Sequence, residues 1–497
     1  MTGLIITLIL ILLVVIIIQI GKVSELSSRI RGEEEAFYQA NNRTGFWLFV
    51  FMIVFLVGCV VSAIYYKNSM LGYGPLQSAS EHGGSLDSLF NVTLFFTGIV
   101  FVITHIVLFW FSYKYRARKG GKALFFPHST TLEVVWTVIP AIVMFFLVVK
   151  GLIVWNNVMP DVDPEEDYLE IEATGYQFAW DIRYPGDDDK LGTKNFRLID
   201  LASNPVGQDW NDPKNIDDFM PDKIVLPKGK KVRVRINAKD VLHNFYLPHF
   251  RVKMDAIPGL PTYFIFTPIK TTAEFRQELR GYPEWEMPAD PSEPDGPKRW
   301  EEFDFELACA ELCGKGHYSM RRVVEIVEPE EYEAWKNEQT SYFMLNVRDT
   351  DLDPYKGKLL QPEISKRNRD LSAAFSNAVS DSTVTKIDLQ NVFFNTGSAQ
   401  LKSDSEFELN KVADLLKEYN TMTLEVAGHT DSVGDSDMNI SLSEQRAQSV
   451  RSYLMRKGVS QNKLSAKGYG SVDPVGDNAT EEGRAENRRT ELRIISR

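Results

Sequence analysis

Cys309-Ala-Glu-Leu-Cys313-Gly-Lys-Gly-His317-Tyr-Ser-Met320 gathers two thiols, an imidazole and a thioether within twelve residues. Two of the chain's three cysteines lie here. Soft sulfur donors beside imidazole suit copper, zinc or iron–sulfur chemistry. The stretch sits in a region, 167–330, of short β-rich runs: Tyr168–Thr174, Ile224–Leu226, Lys231–Ile236, Thr262–Phe266 and Arg322–Val327. Pro227-Lys-Gly-Lys separates two of them as a turn. Many short strands divided by turns predict an all-β sandwich. An amphipathic helix over Pro329–Thr340 closes the unit.

A second polar loop, Asp240-Val-Leu-His243-Asn-Phe-Tyr-Leu-Pro-His249, precedes the first. One histidine from it, with Cys, Cys, His and Met from the later loop, describes a copper site on a Greek-key sandwich. A mononuclear electron-transfer copper takes two His, one Cys and a weak axial Met. Here there is one thiolate more. Two thiolates can bridge two copper ions, each capped by one imidazole, with Met320 on one ion and the Glu311 carbonyl on the other. One electron is then spread over two metals, which reduces the geometric change on transfer. A zinc site of His243, Cys309, Cys313 and His317 is the alternative, although it has no use for Met320. His249 is a further candidate ligand but reads rather as a surface residue, and His82 as part of an exposed loop without a metal role.

Around this domain the chain changes character. Its 497 residues call for several units, and a net charge of −12 argues against a nucleic-acid partner. Three cysteines make no disulfide framework. Four apolar runs come first: Leu4–Ile20, Gly45–Tyr66, Val92–Tyr115 and Leu132–Trp155. A bilayer core needs about 20 helical residues. The first run lacks a basic leader and a small-residue cleavage site, so it reads as an anchor helix. Arg116, Arg118, Lys119 and Lys122 mark the third connection as cytoplasmic, and Lys22, Arg29, Arg31 and Arg43 mark the first. The second connection has only Lys67. Four crossings then put the N-terminus and everything after Trp155 outside, in the periplasm of a bacterium. His105 is expected to bond a neighbouring helix, and Cys59 to be a buried thiol. Glu133 opens the fourth helix at its cytoplasmic end, either favouring the helix dipole or marking the mouth of a proton path.

Residues 343–385 mix charges with Ser, Asn, Asp and Pro and read as a tether, with a helical turn possible near Arg369–Ala378. From Ile387 the pattern is α/β. Strands are expected at Ile387–Phe394, Leu424–Ala427, Leu464–Gly468 and Glu491–Ile495, and helices at Ser403–Tyr419 and Ser441–Lys457, the latter stopped by Gly458.

Asp240-Val-Leu-His243, Lys253-Met-Asp255-Ala-Ile-Pro-Gly259, Cys309–Met320 and Leu132-Glu-Val-Val-Trp-Thr-Val-Ile-Pro140 resemble subunit II of haem–copper cytochrome c oxidases. The resemblance covers about residues 90 to 340. It implies a binuclear copper centre, CuA, with ligands at His243, Cys309, Glu311 through its carbonyl, Cys313, His317 and Met320. It further implies magnesium or manganese at Glu311, shared with subunit I, and a proton-path entrance at Glu133. Haem would lie only in partner subunits. Where the family carries the run Gly-His-Gln-Trp-Tyr-Trp, this chain has Gly175-Tyr-Gln-Phe178-Ala-Trp180. Electron uptake is thus expected at Phe178 or Trp180, from cytochrome c or a complex-bound haem c domain. An acidic, Pro-rich insertion, Gly281–Trp300, precedes the copper loop.

Gly428-His-Thr-Asp431, Leu442-Ser-Glu-Gln-Arg446-Ala, Gly468-Tyr-Gly and Asn487-Arg-Arg489 resemble the OmpA-type peptidoglycan-binding domain. That resemblance implies a clamp by Asp431 and Arg446 on the diaminopimelate of the stem peptide, with Asn439 a secondary candidate. One carboxylate and one guanidinium suit a zwitterionic amino-acid end.

The expected organisation is therefore two extra N-terminal helices (1-66), a transmembrane hairpin (90-156), the cupredoxin-like copper sandwich (157-342), a tether (343-385) and an α/β OmpA-like domain (386-497). The extra helices are expected to pack on a partner subunit. The function implied is electron uptake for a respiratory terminal oxidase of the bacterial inner membrane, with both soluble domains in the periplasm. Its partners are oxidase subunit I, other oxidase subunits and peptidoglycan. The alternatives are a CuA-bearing nitric or nitrous oxide reductase component, or a wall-anchoring scaffold with a vestigial copper site.

Overall fold

Four long helices precede the first strand: α1 (Thr2–Arg31), α2 (Glu33–Tyr66), α3 (Gly83–Lys114) and α4 (Thr130–Val158). The computed structural model describes residues 2–66, 78–163, 165–395 and 397–497. Among these, α2, α3 and α4 are long and apolar enough to cross a membrane. α1 is helical throughout its described length. Within the chain the two N-terminal helices pack on each other, and α2 packs on α3. α2 lies on α3, where Phe49 stacks on Tyr113 at 5.3 Å and Phe55 on His105 at 5.5 Å. A β-carbon at Gly45 would come 2.9 Å from Cδ of Arg116, so glycine lets that side chain cross α2. Arg116 Nε then donates to Asn42 Oδ1 at 2.7 Å. His105 donates to the Phe101 carbonyl of its own helix (2.7 Å) rather than to a neighbour. Cys59 is half-buried rather than buried.

The sandwich is built from β1 (Tyr168–Tyr176), β2 (Ala179–Arg183), β3 (Ile224–Pro227), β4 (Lys231–Ala238), β5 (His243–Leu247), β6 (Val252–Ala256) and β7 (Thr262–Phe266), then α5 (Thr272–Leu279), β8 (Phe305–Cys309), β9 (Arg321–Val327) and α6 (Pro329–Glu338). One sheet has the order β2-β1-β4-β7 and the other β3-β9-β8-β5-β6. Alternation drives the packing: Val232, Val234 and Ile236 of β4 point inward, while Lys231, Arg233 and Arg235 lie at intermediate exposure. Trp180, Phe245, Phe305 and Leu307 fill the core. Inside it, Arg183 pairs with Glu172 at 2.9 Å.

The membrane helices are fastened to this sandwich. Ala79 N donates to the His249 carbonyl (2.9 Å), and Arg251 makes a bidentate pair with Asp87 of α3 (2.7 and 3.0 Å). His249 is not a surface residue. Its ring lies edge-on to Phe275, Phe303 and Phe305, with centroids 5.1–5.6 Å away. His82 is likewise partly buried, against Phe264.

Residues 185–219 leave the sandwich and join 340–497 in a second unit. Trp210 and Ile216 pack with Phe343, Val347 and Leu360, so the expected 157-342 domain gives up an internal segment. The expected tether is also structured, containing α7 (Tyr342–Asn346) and α8 (Gln361–Ser380). Between them the Arg348 guanidinium donates to Asp353, Glu363 and the carbonyls of Tyr355 and Lys358, at 2.8–3.3 Å. The C-terminal α/β fold comprises β10 (Lys386–Leu389), α9 (Glu406–Glu418), β11 (Thr423–Gly428), α10 (Ser436–Arg456), β12 (Leu464–Gly468), α11 (Glu481–Asn487) and β13 (Thr490–Ser496). Its sheet runs β10-β13-β11-β12. Leu371, Phe375 and Ala378 of α8 sit in its core.

Candidate metal centre

Three elements converge on the metal site. β5 begins at His243, β8 ends at Cys309, and the loop from Cys309 returns to β9 just after Met320. Phe245 is in register with Cys309, which holds the two strand ends side by side. His243, Cys309, Cys313 and Met320 are buried. Cys309 Sγ lies 3.9 Å from His243 Nδ1, 3.9 Å from Cys313 Sγ and 3.2 Å from the Glu311 carbonyl. Cys313 Sγ lies 3.7 Å from His317 Nδ1 and 3.3 Å from Met320 Sδ.

Tetrahedral bonds of about 2.0–2.3 Å put neighbouring donors about 3.3–3.8 Å apart. The observed spacings bracket that edge, so these residues fit a metal. The thioether beside Cys313 adds a soft donor that suits copper better than zinc. Burial and the neighbouring Cys309 push the Cys313 thiol up to about 11, so a metal must displace protons to bind.

Around the donors lies a supporting layer. His243 Nε2 donates to Asp240 Oδ1 at 2.8 Å, leaving Nδ1 to face the thiols. Burial works against ionised Asp240, but hydrogen bonds from His243, Gln177 and Val241 outweigh it and hold the carboxyl below its ordinary range. Gln177 Nε2 donates to the Cys313 carbonyl at 2.5 Å. Trp180 meets His243 edge-on with centroids 6.1 Å apart. Phe178 lies against the metal loop itself: a β-carbon on Gly314 would come within 3.0 Å of its ring. Leu312 and Tyr318 point into solvent, 80% and 83% exposed. Sequence reasoning missed the roles of Asp240 and Gln177. The only signal was the position of Asp240 three residues ahead of His243.

In the second unit, Asp431 Oδ2 accepts from Arg488 Nη1 at 2.8 Å, not from Arg446. Arg446 Nε donates to the Ser398 carbonyl (3.1 Å), and its guanidinium lies over Phe394 at 5.0 Å. Burial and Arg488 lower the Arg446 pKa, and Asp431 opposes them, so the three charges share one neighbourhood. Asn439 Nδ2 donates to the Val433 carbonyl at 3.0 Å, bracing the loop that carries Asp431. His429 stacks on Tyr469 beside this site. Glu133 is exposed in the first turn of α4, after the N-cap Ser129.

Helices of membrane-spanning length, a two-sheet β-sandwich and a buried two-thiol donor set thus occur together in one chain. Residues 69–154 match the transmembrane domain of cytochrome c oxidase subunit II, and 169–277 match its periplasmic domain. The second match ends just ahead of the acidic insertion. The alternative cytochrome c oxidase subunit 2 of Bradyrhizobium diazoefficiens is 30% identical over 299 residues, covering 60% of this chain and 94% of that protein. This chain belongs to the cytochrome c oxidase subunit II family. Residues 393–488 match the OmpA family. The probable lipoprotein YiaD of Escherichia coli is 43% identical over 104 residues, 21% of this chain and 48% of that protein. Among solved structures, the periplasmic domain of cytochrome oxidase subunit II from Bradyrhizobium japonicum is 28% identical, with 36% of this chain and 93% of that chain covered and a TM-score of 0.21. Three helices able to span a bilayer and a periplasmic family domain fit an inner-membrane protein.

Proposed function

We propose that this chain is the electron-accepting subunit of a respiratory terminal oxidase and anchors the complex to the cell wall. The observation that supports this reading is the convergence of two thiols, two imidazoles, a thioether and a carbonyl, each 3.2–3.9 Å from its neighbour, at one end of the sandwich. Bound there, a CuA copper pair supplies a one-electron relay between an external donor and haem in subunit I. His243, Cys309, Glu311 by its carbonyl, Cys313, His317 and Met320 hold it. Asp240 fixes the His243 tautomer, as carboxylates commonly do for metal-binding imidazoles. Phe178 backs the loop and, with Trp180, is the candidate for electron uptake. Leu312 and Tyr318 offer the apolar contact that a cytochrome c or a complex-bound haem c domain would cover.

The Glu311 carboxylate would serve magnesium or manganese shared with subunit I, and Glu133 would open a proton path from the cytoplasm. In this reading four helices cross the membrane, the sandwich is of Greek-key type, and both soluble domains are periplasmic. Asp431 and Arg446, with Asn439 bracing the loop, take the zwitterionic end of a peptidoglycan stem, and Arg488 is a further cation at the same place. Gentle purification of the intact complex tests the reading. Copper in excess of zinc, co-migration with oxidase subunit I and reduction by reduced cytochrome c or a co-purifying haem c subunit are expected. A zinc-only chain without oxidase partners refutes it.

A further inference from the structure

We propose that the cleft between α1 and α2 at their cytoplasmic end binds an anionic phospholipid. The inference rests on the membrane orientation proposed above, with the α1–α2 turn in the cytoplasm. The cleft is open and has a volume of about 1210 Å³. Its polarity changes along the helices. Val15, Ile16 and Ile20 of α1 and Phe46 of α2 line its apolar end, within the runs that lie in hydrocarbon. Asn42 and Arg43 line its polar end, one turn beyond the apolar run of α2.

Arg43 is the lining cation beside the apolar end, whereas the lining carboxylate Glu33 lies ten residues away on α2, about 15 Å toward the turn. Among the described residues no carboxylate pairs with Arg43. Glu25, which also borders the cleft, is occupied by Arg29 at 2.7 Å. Arg116, outside the lining itself, lies over the lining residue Tyr113 at 4.2 Å and is held to Asn42 by the 2.7 Å hydrogen bond from its Nε. A phosphodiester at Arg43 with acyl chains against Val15, Ile16, Ile20 and Phe46 satisfies both ends of the cleft at once. Cytoplasmic-side basic residues between helices recognise anionic headgroups in this way. Inorganic phosphate would use the rim alone and leave the apolar end open.

Native mass spectrometry of the full chain in detergent, with phosphatidylglycerol, phosphatidylcholine or inorganic phosphate added, tests this. Retention of phosphatidylglycerol over phosphatidylcholine is expected, with about a fivefold loss in Arg43→Gln, the attraction of one surface cation. Arg43→Lys should restore retention, and Lys119→Gln, away from the cleft, should leave it intact. Equal retention in wild type and Arg43→Gln, or full displacement by phosphate, overturns the site. Labelling of Ser27→Cys from the cytoplasmic side checks the orientation separately. Labelling from the periplasmic side contradicts the orientation whatever the lipid result.

Discussion

A β-carbon at Gly316 would lie 2.5 Å from Cγ of Phe178, so these two residues meet without room for a methyl group between them. The metal loop is thus seated on the Phe178 ring. Gly316→Ala must displace the loop or the ring, and overpacking of this kind typically destabilises by about 1–3 kcal/mol. Thermal denaturation should show that loss, and Phe178→Ala in the same chain should recover part of it. Phe178→Ala alone should slow electron uptake in stopped-flow reduction. An unchanged rate would place uptake elsewhere.

Asp240→Asn keeps the size of the side chain but replaces the carboxylate that orients His243 with a neutral amide, a weaker acceptor. Loss of such a partner typically lowers metal affinity by about 10–100-fold. Competition with a copper chelator should register that drop while the melting curve of the metal-free chain stays close to wild type. Equal copper affinity in the two proteins would contradict the role.

Burial among Phe275, Phe303 and Phe305, with Arg251 adding repulsion, holds His249 at about 4, against an ordinary value of 6.5. Between those values the unfolded chain binds the extra proton. Stability is therefore full above pH 6.5 and declines as pH falls toward 4. The shift corresponds to roughly 3 kcal/mol at the acid end. Denaturant melts of wild type and His249→Phe should diverge over that window, with the variant the flatter of the two. Parallel profiles would remove His249 from the account.

Glu408 of α9 is fully buried, and Arg367 of α8 reaches it at 2.6 Å. Arg367→Met leaves that carboxylate without its counter-charge, held only by the backbone N–H groups of Gln390 and Asn391, and breaking a buried pair from one side costs about 3–5 kcal/mol. Chemical denaturation should show this loss in the OmpA-like unit. A neutral result would mean that α8 is not part of its core.

Arg446→Ala and Asp431→Ala should each weaken sedimentation with purified peptidoglycan by about tenfold, the scale of a hydrogen bond to a charged group. Oxidase turnover should be unaffected. Arg488→Ala reports whether the observed partner of Asp431 also contributes. Undiminished sedimentation in all three variants would place wall binding elsewhere.

Much of this molecule is legible from sequence because its signals are local. The donor residues of the metal loop lie within twelve positions, and only His243 has to be brought from afar. The alternation of β4 and the periodicity of α9 announce their elements. The missed features are non-local or diluted. The buried face of α8, at Leu371, Phe375 and Ala378, comes after the polar run Lys366–Asp370, which hides the helix in an apparent tether. Trp210 and Tyr342 stack in the second unit, although the intervening chain returns to the sandwich between them. The aromatic box of His249 is assembled from Phe275, Phe303 and Phe305, residues that no motif links to it. Charge patterning cannot say which of several arginines reaches Asp431, so Arg488 carries no signal of its own.

The central claim is that Cys309 and Cys313 together hold two copper ions rather than one metal. Electron paramagnetic resonance of the copper-loaded full chain, with metal analysis of the same sample, tests it most directly. A purple protein is expected, with a spectrum of one unpaired electron shared equally by two copper nuclei. A spectrum of one isolated copper, or a colourless zinc protein, would contradict it.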